Sequence, residues 1–529
     1  MAGPLRAQWG TDVVEEDVLG APCKVFAPRP VHLGQLLGEA GRHGRRAHLV
    51  AGDRRLGFDE LGPAVDRVAA RLSAEGLEPG DPILLLGANS IEWILAFWAA
   101  LRHGWVLIPG NAWWSAEEVA HAAGTVGASL ALADARRRGR LPADLPALPL
   151  ETLLDDGPHG PAARPPAPQR EDDPALVLFT SGTTSFPKGA TLTHRGLLAN
   201  LHNLLVVGQR LPGTVGEAKA PSVTLMTMPL FHIGGIQQLF TAVVGGATLV
   251  LLDGRFDARN VAAIIERERV TVWAAVPTMM SRLVEVVDAD PEAYDLSSLK
   301  TLILGGAPVP DALLDQVAAA LPNVSRGLGV SYGLTEVSGV LATATGAVVA
   351  GRPGAVGRLL PTVEARIDDP DGDGVGELLV RTPGLMRGYW GGSGDSDGVV
   401  DAGRWFRTGD LGRLDGDLLF IVGRTKDVVI RGGENVASSR VEERVLRHPA
   451  VAEAMVLGLP HSELGEEVAA AVVLRPGHDV TAAELAAFAA ETLAYFEVPT
   501  AWWFRHSLPA NATGKPLKRQ VLDEWKNRV

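Results

Sequence analysis

Residues 175–194 read Ala175-Leu-Val-Leu-Phe-Thr180-Ser-Gly-Thr-Thr-Ser185-Phe-Pro-Lys188-Gly-Ala-Thr-Leu-Thr-His194, a short apolar run that opens into hydroxyls, glycines and one lysine. The run Ala175–Phe179, bounded by turn residues, suggests a buried strand. In the loop after it, glycine lets backbone N–H groups approach an anion, Ser and Thr add donors, and Lys188 adds charge. Thr180, Ser181, Gly182, Thr183, Thr184 and Lys188 therefore form a candidate phosphate cradle. It is not a Walker A loop, because the fifth residue after Gly182 is Pro187 and Lys188 is followed by Gly189 rather than Ser or Thr. Taken alone the stretch reads equally well as a polar surface loop, and the segments downstream decide between the two.

At 529 residues the chain exceeds the size at which one hydrophobic core keeps growing, so at least two domains are expected. Hydrophobic residues make up 46% and charged residues 21%, a balance that fits a globular protein and not a disordered one. Asp and Glu outnumber Lys and Arg by 62 to 49, and the net charge of −13 argues against general affinity for nucleic acid or anionic lipid. Cys23 is the only cysteine, which excludes an internal disulfide and a cysteine-rich metal site and suits a reducing cytoplasm. Asp12, Glu15, Glu16 and Asp17 stand where a secretory leader needs an apolar core, so a cytoplasmic location is expected. Residues 221–252 carry no Asp, Glu, Lys or Arg and are long enough to span a bilayer. Pro229, His232, Gly234, Gly235, Gln237 and Gln238 interrupt them, so a buried strand, loop and helix is expected instead.

Helical spacing over residues 58–77 and 90–103 alternates with apolar runs at 82–86 and 106–109, and further runs follow at 247–252, 270–276 and 299–304. Such alternation predicts parallel sheets covered by helices. From Gly376 the runs shorten and turns multiply, which predicts a smaller β-rich unit. After Gly423-Arg-Thr-Lys426 a last segment of about a hundred residues has its own strands and helices, enough for a small domain.

Six further segments have the polarity of a nucleotide site: Met228-Pro-Leu-Phe-His-Ile-Gly-Gly235; Leu304-Gly-Gly-Ala-Pro308; Ser331-Tyr-Gly-Leu-Thr-Glu-Val-Ser338; Trp405-Phe-Arg-Thr-Gly-Asp410; Gly423-Arg-Thr-Lys-Asp427; and Pro509-Ala-Asn-Ala-Thr-Gly-Lys515. In this order and at these separations they resemble the adenylate-forming superfamily of acyl-CoA synthetases, adenylation domains and luciferases, most of all the bacterial acyl-CoA synthetases. The resemblance covers nearly the whole chain. It implies an α/β fold: a large N-terminal domain of two α/β subdomains and a small β-barrel-like subdomain, residues 1–424, then a small mobile α+β C-terminal domain, residues 425–529. It implies ATP and Mg²⁺ as cofactors, with a small-molecule carboxylic acid and coenzyme A as partners. It leaves the oligomeric state open, a homodimer included.

The resemblance also assigns roles. Joining a carboxylate to the α-phosphate of ATP brings two anions together, so cations and donors must neutralise them. Lys515 matches the family's C-terminal lysine that bridges the two, Thr335 would donate to the α-phosphate, and Glu336 would hold Mg²⁺. Tyr332 would offer a flat face to adenine beside Ser331 and Gly333, Asp410 would bind the ribose hydroxyls with Arg424 beside it, and Gly305, Gly306 and Ala307 would leave room for adenine. His232, Ile233, Thr278 and Gly329 fall in the acyl pocket, expected to be mostly apolar and suited to a fatty, aromatic or steroid-like acid. Lys426 matches the hinge, and Gly432, Gly433 and Glu434 match the strand presented to the coenzyme A arm.

Two positions depart from the family pattern: Ser185 stands where glycine is common, and Arg440 where an acid is common. Two other readings remain. An adenylating enzyme that loads a carrier protein shares every motif, but Phe231-His232 offers no anion for an amino-acid substrate and the chain ends fourteen residues after Lys515 without a fused carrier. A non-catalytic nucleotide binder is opposed by the retention of Thr335, Glu336, Asp410 and Lys515.

Overall fold

The computed structural model describes residues 9–155, 169–180, 187–213, 221–324, 326–346, 348, 352, 354–392, 398–510 and 516–528. Its strands form three large sheets and one N-terminal hairpin, Val13–Val18 with Ala21–Phe26.

The first sheet runs in the order Gly388–Tyr389, Lys188–Thr193, Pro174–Thr180, Val106–Gly110, Pro82–Leu86, Leu130–Ala133 and Ala147–Pro149. Its central strands are parallel, and their continuous apolar sequence reflects burial on both faces, as parallel sheets require. The second sheet has thirteen strands. Its parallel core is Leu328–Leu334, Thr301–Leu304, Val272–Ala275, Val223–Met226, Thr248–Leu251 and Ala47–Ala51. The predicted β-rich unit is present as antiparallel strands from Ala355 to Arg424. It is not a separate sheet, however: Gly339–Thr345 pairs with Ala355–Leu359 and so joins it to the parallel core.

One hydrophobic core fills the space between these two sheets. The helix Ile91–His103 crosses it, starting at Ser90, whose hydroxyl accepts the Trp93 N–H, and buried on almost every face because its sequence is apolar all round. Its Phe97 and Trp98 rings meet Phe240 of the helix Ile233–Gly245, each at 5.7 Å between centroids. The residues 221–252 thus form a strand, a loop, a buried helix and a second strand. No helix among the described residues is long and apolar enough to cross a membrane.

Among the described residues, no strand beyond Arg424 joins the first two sheets. The third sheet contains Glu434–Ala437, Val428–Arg431, Gly465–Leu474, Val451–His461 and Ala501–Arg505, with its own apolar core. The helix Ser438–Leu446 lies at the boundary: the Ser439 hydroxyl donates to Val422 O, and Arg447 Nη2 lies 3.9 Å from Asp311 Oδ2.

Candidate active site

Ligands of open α/β sheets bind beyond the carboxyl ends of parallel strands, and most of the predicted residues gather there. Leu328–Leu334 runs out of the second sheet with a bulge at Tyr332–Gly333, followed by a single turn, Thr335–Val337. Several side chains fix that turn from behind. Gln237 Nε2 donates to Ser338 O at 2.8 Å, and the Asn200 amide pairs with both backbone groups of Val340 at 2.7 and 3.2 Å. Met386 N donates to Glu336 O at 2.7 Å. The Glu336 carboxylate is half-buried and has no hydrogen-bond or ion-pair partner among the described residues, and no group of three or more His, Cys, Asp or Glu among them is placed to hold a metal ion. A lone oxygen donor of this kind fits a hard cation that arrives with most of its ligands supplied by phosphate.

Tyr332 Oη donates to Asp410 Oδ2 at 2.5 Å, and Arg424 Nε meets Asp410 Oδ1 at 2.7 Å. The antiparallel pairing of Phe406–Asp415 with Leu418–Arg424 sets Asp410 directly opposite Arg424. Asp410 is only 2% exposed, and both its oxygens are already engaged within the protein, leaving their remaining lone pairs for a ligand. Burial first, and then the Asp410 charge, hold the Tyr332 phenol well above its ordinary value, so it stays protonated and donates. Tyr332 therefore does more than present a flat ring: it orients the carboxylate. Thr425 Oγ1 donates to Gly409 O at 3.1 Å, which ties the residue before Lys426 to the same turn.

Gly305 follows Thr301–Leu304 and lies against Ser331; a Cβ there would stand 2.5 Å from Ser331 Oγ. Gly306 is exposed and Ala307 half-buried beside it. His232 caps the helix Ile233–Gly245, its carbonyl accepting the N–H groups of Gly235 and Ile236, and its ring lies 4.6 Å from Phe231. Because Gln237 of that helix holds Ser338, the His232 end and the Glu336 turn are braced together. Thr278 is the second residue of the helix Pro277–Ala289. Gly329 lies farther back, buried in its strand against Ala344, Thr345 and Ile303.

Thr180 ends one strand and Lys188 begins the next, and the two residues are paired opposite each other. Lys188 Nζ lies 5.4 Å from the centre of the Tyr389 ring. Ser181, Gly182, Thr183 and Thr184 lie outside the described residues, as does Lys515. Lys426 is exposed in the turn Thr425–Asp427. Gly432 and Gly433 have φ of +62° and +90° and close the two-residue hairpin between Arg431 and Glu434, where positive φ at both positions is required.

The sequence gives no signal for Asn89, whose amide clamps the pocket loop by donating to Met228 O and accepting from Leu230 N, both at 2.9 Å. Nor does it single out Trp113, which lies edge-on to Phe231 at 5.3 Å while Arg137 and Arg140 hold the flanking carbonyls of Ala112 and Trp114.

The AMP-binding enzyme family matches residues 38–390, and the AMP-binding enzyme C-terminal domain matches residues 440–515. A feruloyl-CoA synthase of Amycolatopsis sp is 35% identical over 91% of this chain and 95% of its own length. A fatty acid–[acyl-carrier-protein] ligase of Streptomyces coeruleorubidus is 32% identical over 89% and 92%. The o-succinylbenzoate CoA synthetase of Bacillus subtilis, solved with its acyl-adenylate intermediate, superposes with a TM-score of 0.80 at 29% identity, covering 92% of this chain and 97% of that one. The chain belongs to the AMP-binding enzyme family, within the adenylate-forming superfamily. It is an AMP-forming acid–thiol ligase.

Proposed function

We propose that this enzyme converts an apolar carboxylic acid to its acyl-adenylate with release of pyrophosphate, then transfers the acyl group to coenzyme A. The observation that carries this reading is that Tyr332, at the end of the strand Leu328–Leu334, holds Asp410 together with Arg424, while the turn that follows carries Glu336, whose carboxylate has no partner among the described residues. Asp410, oriented by Tyr332 and Arg424, accepts from the ribose hydroxyls, and the cleft at Gly305–Ala307 admits the base. Thr335 donates to the α-phosphate. Glu336 would hold Mg²⁺, which when bound neutralises phosphate charge. Lys515 bridges the attacking carboxylate and the α-phosphate, and Lys188 with the hydroxyls and glycine of residues 180–184 takes the departing β- and γ-phosphates. For the second step the C-terminal domain, residues 425–529, turns about Lys426 and brings Gly432, Gly433 and Glu434 toward the pantetheine arm.

His232 and Ile233, with Phe231, Met228 and Trp113 around them, favour an aromatic or alkyl acid over a polar one. Thioester formation across acids of increasing chain length and ring content tests this. Turnover is expected with apolar acids; absence of both AMP release and pyrophosphate exchange with every acid overturns the proposal. Replacing Lys515 with alanine is expected to lower adenylate formation by roughly two orders of magnitude or more while ATP binding persists, and unchanged turnover contradicts its role. The carrier-ligase relative supports a second reading, transfer to a free-standing carrier protein, which a comparison of coenzyme A with isolated carriers as acceptor distinguishes.

A further inference from the structure

The helix Lys518–Lys526 begins three residues after Lys515 with two cations, Lys518 and Arg519, and no acid in its first turn. A helix N-terminus disfavours positive charge, so local helix stability gives no reason for a lysine at this position. Its tertiary contacts do. Lys518 Nζ donates to Ser438 Oγ at 2.9 Å, pairs with Glu442 Oε1 at 2.9 Å, and lies 3.8 Å from Asp427 Oδ2. Ser438 Oγ in turn donates to Asp427 O at 2.8 Å. Glu442 Oε1 also accepts the Val456 N–H at 2.8 Å, which anchors it to the third sheet. The ammonium side chain is 24% exposed and Ser438 only 3%, so these contacts are shielded from water and hold their geometry better than a surface pair.

One ammonium therefore gathers the carboxylate of Asp427, the hydroxyl that grips the Asp427 carbonyl, and the acid of the helix Ser438–Leu446. Asp427 directly follows Lys426. Three residues of chain reach at most about 11 Å, so whatever fixes Lys518 limits where Lys515 can travel.

We propose that Lys518 is a positioning residue for adenylate formation, locking the start of the helix Lys518–Lys526, three residues after Lys515, to the turn around Lys426 as the C-terminal domain moves. The proposal rests on the reading of Lys515 as the adenylating lysine and Lys426 as the hinge. Lys518→Met removes the charge at similar volume, and Lys518→Arg retains it. The Met variant of the full-length chain is expected to slow ATP–pyrophosphate exchange by roughly 10- to 100-fold in kcat, with KM for ATP and acid within about threefold. Thioester formation from coenzyme A and a chemically prepared acyl-adenylate is expected to stay within about threefold, because that step does not use Lys515. The Arg variant regains most of the exchange activity, and deuterium uptake in peptides covering residues 425–431 rises in the Met variant only.

Equal losses in both half-reactions, or exchange at the unsubstituted rate, overturn the proposal. Lys515→Ala assayed in parallel separates the two possible failures. Undiminished exchange in that variant overturns the reading of Lys515, whereas lost exchange there beside normal exchange in Lys518→Met overturns the role of Lys518 alone. Should Lys518→Met fail to fold, Ser438→Ala removes only the relay hydroxyl; it is expected to slow pyrophosphate exchange by about 3- to 10-fold, and no slowing overturns the proposal.

Discussion

Asp410 shows how a buried carboxylate is aimed by its neighbours, one oxygen held by Tyr332 and the other by Arg424. Its environment excludes water, so each hydrogen bond from Tyr332 and Arg424 counts for more than it would at the surface. Tyr332→Phe keeps the ring and deletes the donor; a lost bond to a charged acceptor costs about 1.5–3 kcal/mol, so the denaturant midpoint is expected to fall and, with Asp410 no longer oriented, KM for ATP to rise by about tenfold. An unchanged KM shows that the hydroxyl is not needed to orient Asp410. The sequence identifies Tyr332, Asp410 and Arg424 through their motifs, but not the bond from Tyr332 to Asp410. Those residues stand 78 positions apart, and the contact exists only because distant strands pair in one register. Asn89 was invisible for the same reason, since an asparagine reaching across 139 residues leaves no local pattern.

Among elements, the strands and helices with clean apolar periodicity were legible: Pro82–Leu86, Thr301–Leu304 and Ile91–His103 fall within a few residues of where the sequence places them. Sheet order was not. Gly388–Tyr389 adds a strand of two residues to the first sheet beside Lys188–Thr193, too short to announce itself, and the joining of the β-rich strands to the second sheet depends on one pairing, Ala342 with Leu359 and Thr343 with Arg358. The helix Ile233–Gly245 illustrates what an element's first turn demands. A Cβ at Gly235 would lie 2.4 Å from Pro229 O, a backbone atom that cannot swing aside. Gly235→Ala is thus expected to push the helix start, and His232 with it, away from the pocket loop. Steric strain of this kind costs about 1–3 kcal/mol, readable as a lower denaturant midpoint together with a raised KM for the acid.

Across the whole molecule, burial holds six histidines below their ordinary value. It pushes His48 and His202 down to about 4 and His194 to about 3, and it lowers His32, His43 and His103 as well. A histidine with a depressed folded value takes up its proton only when the chain unfolds. Stability is therefore complete above the unfolded value near 6.5 and is lost as pH falls toward 4. Three such groups give a slope of about 4 kcal/mol per pH unit near pH 5, so denaturant midpoints measured from pH 7 to 5 are expected to fall steeply. A flat profile means that the three rings are hydrated. The N-terminal hairpin is fastened differently, by Arg29 and Arg195 among Glu16, Glu171 and Asp172, with Arg195 at 2.6 Å from Glu171 and 2.7 Å from Asp172. Removing one partner of so enclosed a set leaves charge unpaired, and Arg195→Ala is expected to cost about 3 kcal/mol in urea unfolding. By contrast, the turn Thr425–Asp427 belongs to no sheet and exposes Thr425 and Lys426 to solvent. An exposed lysine in a turn with little backbone pairing is what trypsin requires, so a nick after Lys426 is expected to divide the chain between residues 1–426 and 427–529 without opening either core. On the hinge proposed at Lys426, the rate of that cut is expected to differ with and without ATP, and so to read the position of the small domain from outside.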